Sequence, residues 1–503
     1  LSLKKNIIAN YVSQIYVTAI GILILPFYIE YMGAEAYGLV GFFVLLQAWF
    51  NLLDLGLTPT ISRETARFKS GATTPLGFRQ IYRALSAIFF IIALVGGLFL
   101  YLLSEVVARR WLNFDSLDTN NVIFSVKIMA LTVAFRWLCG LYRGVITGSE
   151  NLVWLSYFNI VMATLRSLGV FVVMFKFGFT IFTFFVYQLI IAFVETLILF
   201  NKSRTLLPAI NPNLEVIGWS LKPLLPVLKF SMTIAFTASI WVLVTQTDKL
   251  VLSNVLPLAE YGYFTLAVLV AGGIMIISGP ISNAVLPRMT SLFAQNKNIE
   301  MLNVYHSATQ LVSIIGGAAA ITIFFSAESL LFAWTGDNKL SAAVAPILRL
   351  YVIGNSFLII TSFPYYLQYA KGNLKYHLYG NFIFAGILLP AIVLAAKYYG
   401  AVGAGYTWVI INFLFLTFWV GFIHYKIEPG LHLKWLFNNV IFVCFPAVCV
   451  GYITHYVVFE PVTRLDNFYV VISTGIPVFL TSLSFSPIAR KILGEKYFNK
   501  VMS

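Results

Sequence analysis

Long apolar runs alternate along the chain with short polar ones, and the runs have the length of a membrane rather than of a strand. A spanning helix needs about 20 mostly apolar residues. Fourteen stretches qualify: 8–31, 37–59, 80–104, 121–147, 153–176, 180–200, 226–253, 259–287, 305–332, 343–369, 376–397, 401–424, 435–458 and 467–488. The longest connection, 201–225, leaves no room for an inserted soluble domain. The expected fold is an all-α polytopic membrane protein of 14 transmembrane helices. The first run carries Pro26 and Tyr28 and exceeds the apolar core of a secretion signal, so it is expected to be retained.

A shift of 224 residues lays Tyr37-Gly38 on Tyr261-Gly262, Tyr142 on Tyr366, Gly148 on Gly372 and Lys202 on Lys426. The same shift lays span on span. Six spans return the chain to the side it left, so the two copies are expected to be parallel, related by a pseudo-two-fold axis along the membrane normal. The expected domains are a six-helix bundle at 1–204, a second at 205–430, and two additional helices with a cytoplasmic tail at 431–503. A seam between two such bundles suits alternating access. Pro26, Gly56, Pro59, Gly272, Gly273, Gly279, Pro280 and Pro287 stand where such motion would bend helices. The same residues are also simply frequent in membrane helices.

Composition agrees. Hydrophobic residues make up 60% and charged residues only 10%, with a mean hydropathy of +0.87. A soluble chain carries about 25% charge. With a cytoplasmic N-terminus, 22 Lys and Arg fall on the cytoplasmic side against 7 on the other. That asymmetry places both termini in the cytoplasm, and a bacterial inner (plasma) membrane is the expected location. It also accounts for the net charge of +14 without nucleic acid. Cys139, Cys444, Cys449 and the five histidines (His306, His377, His424, His432, His455) are scattered over separate runs. No disulfide framework, metal site, cofactor site or catalytic residue is expected from them.

Charge inside the runs changes the picture. An ionisable group at mid-bilayer costs about 2.5–3.5 kcal/mol on insertion scales, so it faces a cavity or a partner. Arg136 and Arg143 lie on the fourth run, Arg166 on the fifth and Arg349 on the tenth. Seven residues apart, Arg136 and Arg143 look the same way on a helix, while Lys127 points elsewhere at the outer boundary. These arginines suit a cationic cavity that receives phosphate or carboxylate in forked geometry. Asp54, Glu195 and Asp248 are the acidic positions at which Na+ or H+ coupling could act. The competing reading is internal neutralisation, with Arg136 or Arg166 against Glu195, Asp54 against Arg63, Asp248 against Lys249, and Arg143 a boundary charge. Tyr11, Gln14, Gln246, Asn283, Tyr365, Tyr366, Gln368 and Tyr369 could line a sugar path. The alternative for them is an interfacial aromatic belt and interhelical amide contacts.

Five short motifs then fall into a recognisable order. They are Lys-Lys-Asn-Ile-Ile-Ala-Asn-Tyr (4–11), Leu-Leu-Asp-Leu-Gly-Leu (52–57) ahead of Arg63, Thr-Asp-Lys-Leu-Val-Leu-Ser (247–253), Ala-Glu-Tyr-Gly-Tyr-Phe (259–264) and Pro-Arg-Met (287–289). In that order over residues 1–425 the chain resembles the polysaccharide-transport flippases. These are the lipid-linked oligosaccharide branch of the multidrug/oligosaccharidyl-lipid/polysaccharide exporter superfamily, which includes O-antigen repeat-unit flippases. The resemblance implies two bundles around a cationic cavity. Its implied cargo is an oligosaccharide on undecaprenyl pyrophosphate, moved to the periplasmic leaflet for O-antigen, lipopolysaccharide or another surface polysaccharide. Membrane lipid, a polysaccharide polymerase and a chain-length regulator are the implied partners. Arg136, Arg143 and Arg166 have the side chains that such a cavity uses; the first span has no ionisable residue between Lys5 and Glu30. An inside-negative potential favours outward movement of an anion by about 2.3 kcal/mol per charge per 100 mV. Two rivals differ in kind. A cation-coupled multidrug exporter of the same superfamily would want unpaired acids in the cavity. A membrane-embedded polymerase would want more on its outer loops than Glu105, Asp115 and Asp118.

Overall fold

The computed structural model describes residues 3–54, 56–209, 225–457 and 461–487, without the side chains at 3, 4, 6, 7, 225–238, 277–280, 282–284 and 287. Among the described residues the chain is helical, with one isolated bridge between Asn113 and Pro257. Twelve helices there are long and apolar enough to cross a membrane, so this is an all-α multi-pass membrane protein. The expectation was fourteen. One 53-residue stretch, Lys375–Ile427, takes in two expected spans, with Gly400 at φ 59° and ψ −146° breaking the helix between them. The expected span 226–253 coincides with a helix whose early side chains lie outside the described residues.

The chain forms two compact units, Leu1–Gly262 and Tyr263–Ser503. The first holds α1 (Leu3–Leu23), α2 (Leu25–Met32), α3 (Ala34–Phe50), α4 (Leu57–Lys69), α5 (Pro75–Leu102), α6 (Ser104–Val106) and α7 (Thr119–Gly148). It continues with α8 (Leu152–Thr164), α9 (Val170–Phe177), α10 (Ile181–Leu206) and α11 (Leu225–Val255). Helix starts follow local chemistry. Thr74, Asp118 and Thr180 each accept a backbone N–H of the first turn of α5, α7 and α10, contacts worth about 1 kcal/mol apiece. Pro26 sits in the first turn of α2, after the break at Ile24. Gly56, at φ 72°, takes the left-handed turn that starts α4.

The central helix is α7, packed on α3, α4, α5 and α10. Leu57, Ile61, Phe78, Leu85, Phe89, Trp137, Leu141 and Val145 form the core between α4, α5 and α7. Close approach depends on two missing side chains. A Cβ at Gly148 would run into the Ser62 carbonyl, and one at Gly144 into Ile61. Glycine at both positions lets α7 lie backbone to backbone on α4.

The second unit holds most of α12 (Leu258–Ala294), then α13 (Asn298–Val312), α14 (Ala318–Phe325), α15 (Ala327–Thr335), α16 (Asn338–Thr361) and α17 (Phe363–Ala370). After these come α18 (Lys375–Leu414), α19 (Val420–Ile427), α20 (Leu431–Leu436), α21 (Phe442–Val457) and α22 (Arg464–Phe485). Backbone of α12 stays helical through Gly272, Gly273, Gly279, Pro280 and Pro287.

Three histidines scattered in sequence enter two hydrogen-bonded chains in this unit. Tyr305 Oη lies 2.8 Å from His424 Nε2, and His424 Nδ1 shares a hydrogen with His432 Nδ1 at 3.2 Å. Asn439 donates to His306 Nδ1 at 2.6 Å and accepts from Gln310 Nε2 at 2.8 Å. Ser486 donates to Gln310 Oε1 at 2.9 Å, and Trp435 to Thr309 Oγ1 at 2.9 Å. Among the described residues no group of three His, Cys, Asp or Glu side chains is arranged to hold a metal ion.

Candidate functional site

The polar cluster of the first unit is built on the face that α7 shares with α10. Arg136 and Arg143 are seven apart on α7; Gln188 and Glu195 are seven apart on α10. The two pairs face each other as rungs. Arg136 Nη2 donates to Gln188 Oε1 at 2.7 Å, and Arg143 Nη2 meets Glu195 Oε1 at 2.7 Å.

Each arginine is completed differently. Arg136 Nη1 donates to Gln47 Oε1 of α3 at 2.6 Å, and the guanidinium lies 5.1 Å over the Phe43 ring. Both terminal nitrogens of Arg136 therefore end on neutral amide oxygens, and its Nε has no hydrogen-bond partner among the described residues. Arg143 Nη1 donates to Asn159 Oδ1 of α8 at 2.6 Å. Arg166 Nε donates to the Met162 carbonyl at 3.2 Å, while its Nη1 stands 3.8 Å from Glu195 Oε2.

Arg166 sits in the wide π turn, Leu165–Gly169, that joins α8 to α9. Such turns are frequent at functional sites. Side chains meet three of its carbonyls: Tyr187 donates to Leu165 at 2.9 Å, Gln188 to Arg166 at 3.0 Å and Tyr28 to Ser167 at 3.3 Å. Because the Gln188 Nε2 group is spent on Arg166, its Oε1 must face Arg136. One amide thus fixes both arginines.

Arg136, Arg143, Arg166 and Glu195 line a cavity of about 220 Å³ together with Gln47, Asn51, Phe50, Val133 and Trp137. Three guanidinium groups against one carboxylate leave a formal surplus of two positive charges. An anion entering the cavity would offset that part-buried surplus. The internal-neutralisation reading holds for Arg166, which pairs with Glu195 at 3.8 Å, and for Arg143, which sequence position made a boundary charge and which pairs with Glu195 at 2.7 Å. It does not hold for Arg136, whose terminal nitrogens end on amides.

The remaining expected site residues lie elsewhere. Arg349 is in the second unit, its Nε donating to the Phe324 carbonyl at 3.1 Å, so it is not part of this cavity. Asp54 does not serve as a free acid: it accepts from Thr58 N at 3.1 Å and Thr58 Oγ1 at 2.6 Å, starting α4, while Arg63 approaches Glu64 at 3.7 Å. Asp248 is buried, accepts from Lys249 N at 2.8 Å and lies 3.7 Å from Lys249 Nζ. Gln368 is a correction as a cavity residue. It is 1% exposed, accepts from His377 N at 2.8 Å and donates to the Pro364 carbonyl at 3.3 Å, tying α17 to α18. Tyr366 is also buried, packed edge-on to Phe363, whereas Tyr365 stands 4.6 Å from the His377 ring and 6.0 Å from Tyr369. Gln246 donates to Thr245 Oγ1 at 3.4 Å; Tyr11 is half-buried and Gln14 exposed on α1. The Asn283 side chain lies outside the described residues. Lys127 extends over the Tyr101 ring at 5.4 Å, away from the cluster. Sequence reasoning missed Gln47, Gln188 and Asn159, although an amide inside an apolar run is a signal of the same kind as Gln246.

Comparisons with known proteins bear on the fold and the family. The chain aligns with the solved structure of a lipid II flippase MurJ in an inward closed conformation, at 16% identity and a TM-score of 0.73, covering 97% of this chain and 99% of that one. It also aligns with an inward-facing multidrug resistance MATE family transporter of the MOP superfamily, at 13% identity, a TM-score of 0.62 and coverage of 81% and 94%. A third alignment is with a MOP superfamily transporter from Pyrococcus furiosus, described for the reverse polarity of its binding pocket, at 14% identity, a TM-score of 0.54 and coverage of 84% and 95%. At these identities the likeness is one of fold. No curated protein sequence matches. Residues 3–293 match the model of a family described as polysaccharide biosynthesis protein. With more than half of its length matched, the chain belongs to the polysaccharide biosynthesis protein family, on the fold of the multidrug/oligosaccharidyl-lipid/polysaccharide exporter superfamily.

Proposed function

We propose that the protein is a flippase for undecaprenyl-pyrophosphate-linked oligosaccharide repeat units. It carries them by alternating access from the cytoplasmic to the periplasmic leaflet of a bacterial inner membrane, for O-antigen or another surface polysaccharide. One observation carries the reading: a membrane-embedded cavity with three arginines, one carboxylate and a surplus of two positive charges. A pyrophosphate diester supplies about two negative charges, which would neutralise that surplus. The family description and the flippase named among the structural relatives favour a lipid-linked cargo.

Size sets the division of labour. At about 220 Å³ the cavity is below the roughly 300–1,000 Å³ of drug-sized sites, so it receives the phosphates while the polyprenyl chain stays in lipid. The membrane potential, with both termini cytoplasmic, drives the anion outward at about 2.3 kcal/mol per charge per 100 mV. Coupling to Na+ or H+ through Asp54, Glu195 or Asp248 is the alternative source. A multidrug exporter of organic cations is disfavoured by the sign of the cavity. Polymerase and chain-length regulator are the proposed partners, since they consume what a flippase delivers.

The test is reconstitution with a fluorescent lipid-linked oligosaccharide. Arg136→Ala and Arg166→Ala should each slow translocation about tenfold or more at normal abundance, the loss of one to two charge-assisted hydrogen bonds. Unchanged rates in both variants would reject the anion cavity.

A further inference from the structure

Glu195 is held in an unusual way. Its side chain lines the cavity; Oε1 is fixed 2.7 Å from Arg143 Nη2, while Oε2 is buried and has no hydrogen-bond partner among the described residues. Arg166 Nη1 stands 3.8 Å from that oxygen, an ion pair beyond hydrogen-bond reach. A carboxylate whose sole task is to neutralise buried arginines engages both oxygens, because an unpaired buried oxygen is costly. Here one oxygen anchors the group and the other is kept in reserve. Arg166 is the complement: only its Nε is hydrogen-bonded at close range, to the Met162 carbonyl. Arg136 likewise keeps an unpartnered Nε and no carboxylate on its terminal nitrogens.

An anion entering the cavity can therefore take Arg166 without breaking the Arg143–Glu195 bond. Once it does so, the free Oε2 lies against it, sharing Arg166 and repelling the incoming oxygens. We infer that Glu195 is the release residue of this site, a fixed carboxylate that competes with the bound phosphates for Arg166 and keeps them from being held too tightly to leave. This rests on the anion-cavity reading and adds a specificity: Glu195 sets the surplus at two charges, the charge of a diphosphate diester. Transport needs that restraint, since a carrier that stabilises its loaded state too well stops there.

The experiment compares wild type with Glu195→Gln in detergent and in proteoliposomes, with inorganic pyrophosphate as the binding probe. A unit charge a few ångströms away is worth between a screened and a dry limit, so removing it should tighten pyrophosphate binding about tenfold or more. In translocation of a labelled lipid-linked oligosaccharide, apparent KM and maximal rate should both fall. A general loss of structure would not lower KM. Equal or weaker pyrophosphate affinity in a Glu195→Gln protein with an unchanged melting temperature overturns the role of Glu195. Should Glu195→Gln alone not fold, Arg143→Gln/Glu195→Gln keeps the surplus at two while removing the competitor. It should bind pyrophosphate at least as tightly as wild type, and weaker binding overturns the inference. Failure of wild type and every variant to bind pyrophosphate sinks the anion cavity itself, whereas wild-type binding that Glu195→Gln does not strengthen sinks only the release role.

Discussion

Each unit buries polar side chains among membrane helices, and the two clusters are finished differently. In the second unit the Tyr305–His424–His432 chain and the Ser486–Gln310–Asn439–His306 chain are each held by internal hydrogen bonds of 2.6–3.2 Å, and nothing in them carries a fixed charge. In the first unit three arginines share one carboxylate around a cavity, and Arg136 Nε and Glu195 Oε2 are left unpartnered. Polar residues inside a bilayer can serve as glue or as a site. The difference teaches how to tell them apart: glue closes its hydrogen bonds, whereas a site keeps surplus charge and unmade bonds beside a cavity.

Substitutions can break that contrast, and the largest effect belongs to the site. Arg136→Ala should slow translocation about 10–100-fold, with little change in melting temperature, because it removes a buried charge lacking a carboxylate partner. A fall in stability that matches the fall in rate would make Arg136 structural. Next comes Gly148→Ala, which drives a methyl group into the Ser62 carbonyl and lifts α7 from α4. It should cost about 1–3 kcal/mol of stability and depress abundance and rate together, calibrating what a packing defect looks like in this unit. In the second unit, Gln310→Leu removes the donor to Asn439 and the acceptor of Ser486. Its cost should be about 1 kcal/mol in thermal denaturation, with the rate per folded molecule unchanged. Tyr305→Phe, which deletes one hydroxyl contact to His424, should cost about 0.6 kcal/mol and leave transport intact. A transport defect in either of these stable variants would show that the histidine network is more than glue.

Much of this was legible in the order of residues. Apolar run length gave the helices, and a seven-residue spacing put Arg136 and Arg143 on one face, where both line the cavity. Depth was harder to read. Helix α7 has 30 residues, about 45 Å at 1.5 Å each, against a hydrocarbon core of about 30 Å. A residue near the end of so long a helix can be a boundary charge or, like Arg143, the ion-pair partner of a buried carboxylate. Partners drawn from other helices were not legible at all. Gln47, Gln188 and Asn159 reach the arginines from α3, α10 and α8, and His306, His424 and His432 converge from α13, α19 and α20. Periodicity reports which face a residue occupies and is silent about the helix opposite.

The π turn at Leu165–Gly169 acts as a phase adjuster. A plain α-helix rotates by about 100° per residue, so a helix running unbroken from α8 to α9 would tie the heading of Arg166 to that of every residue beyond it. The spare residue in the wide turn loosens that tie. Phe171 can stack on Tyr28 at 5.1 Å and Phe175 meet Tyr31 at 6.1 Å while Arg166 keeps its own bearing toward the cavity. Losing one residue from this turn would leave the chain helical and nearly as apolar as before, yet would force a choice between aiming the arginine and seating the aromatic rings.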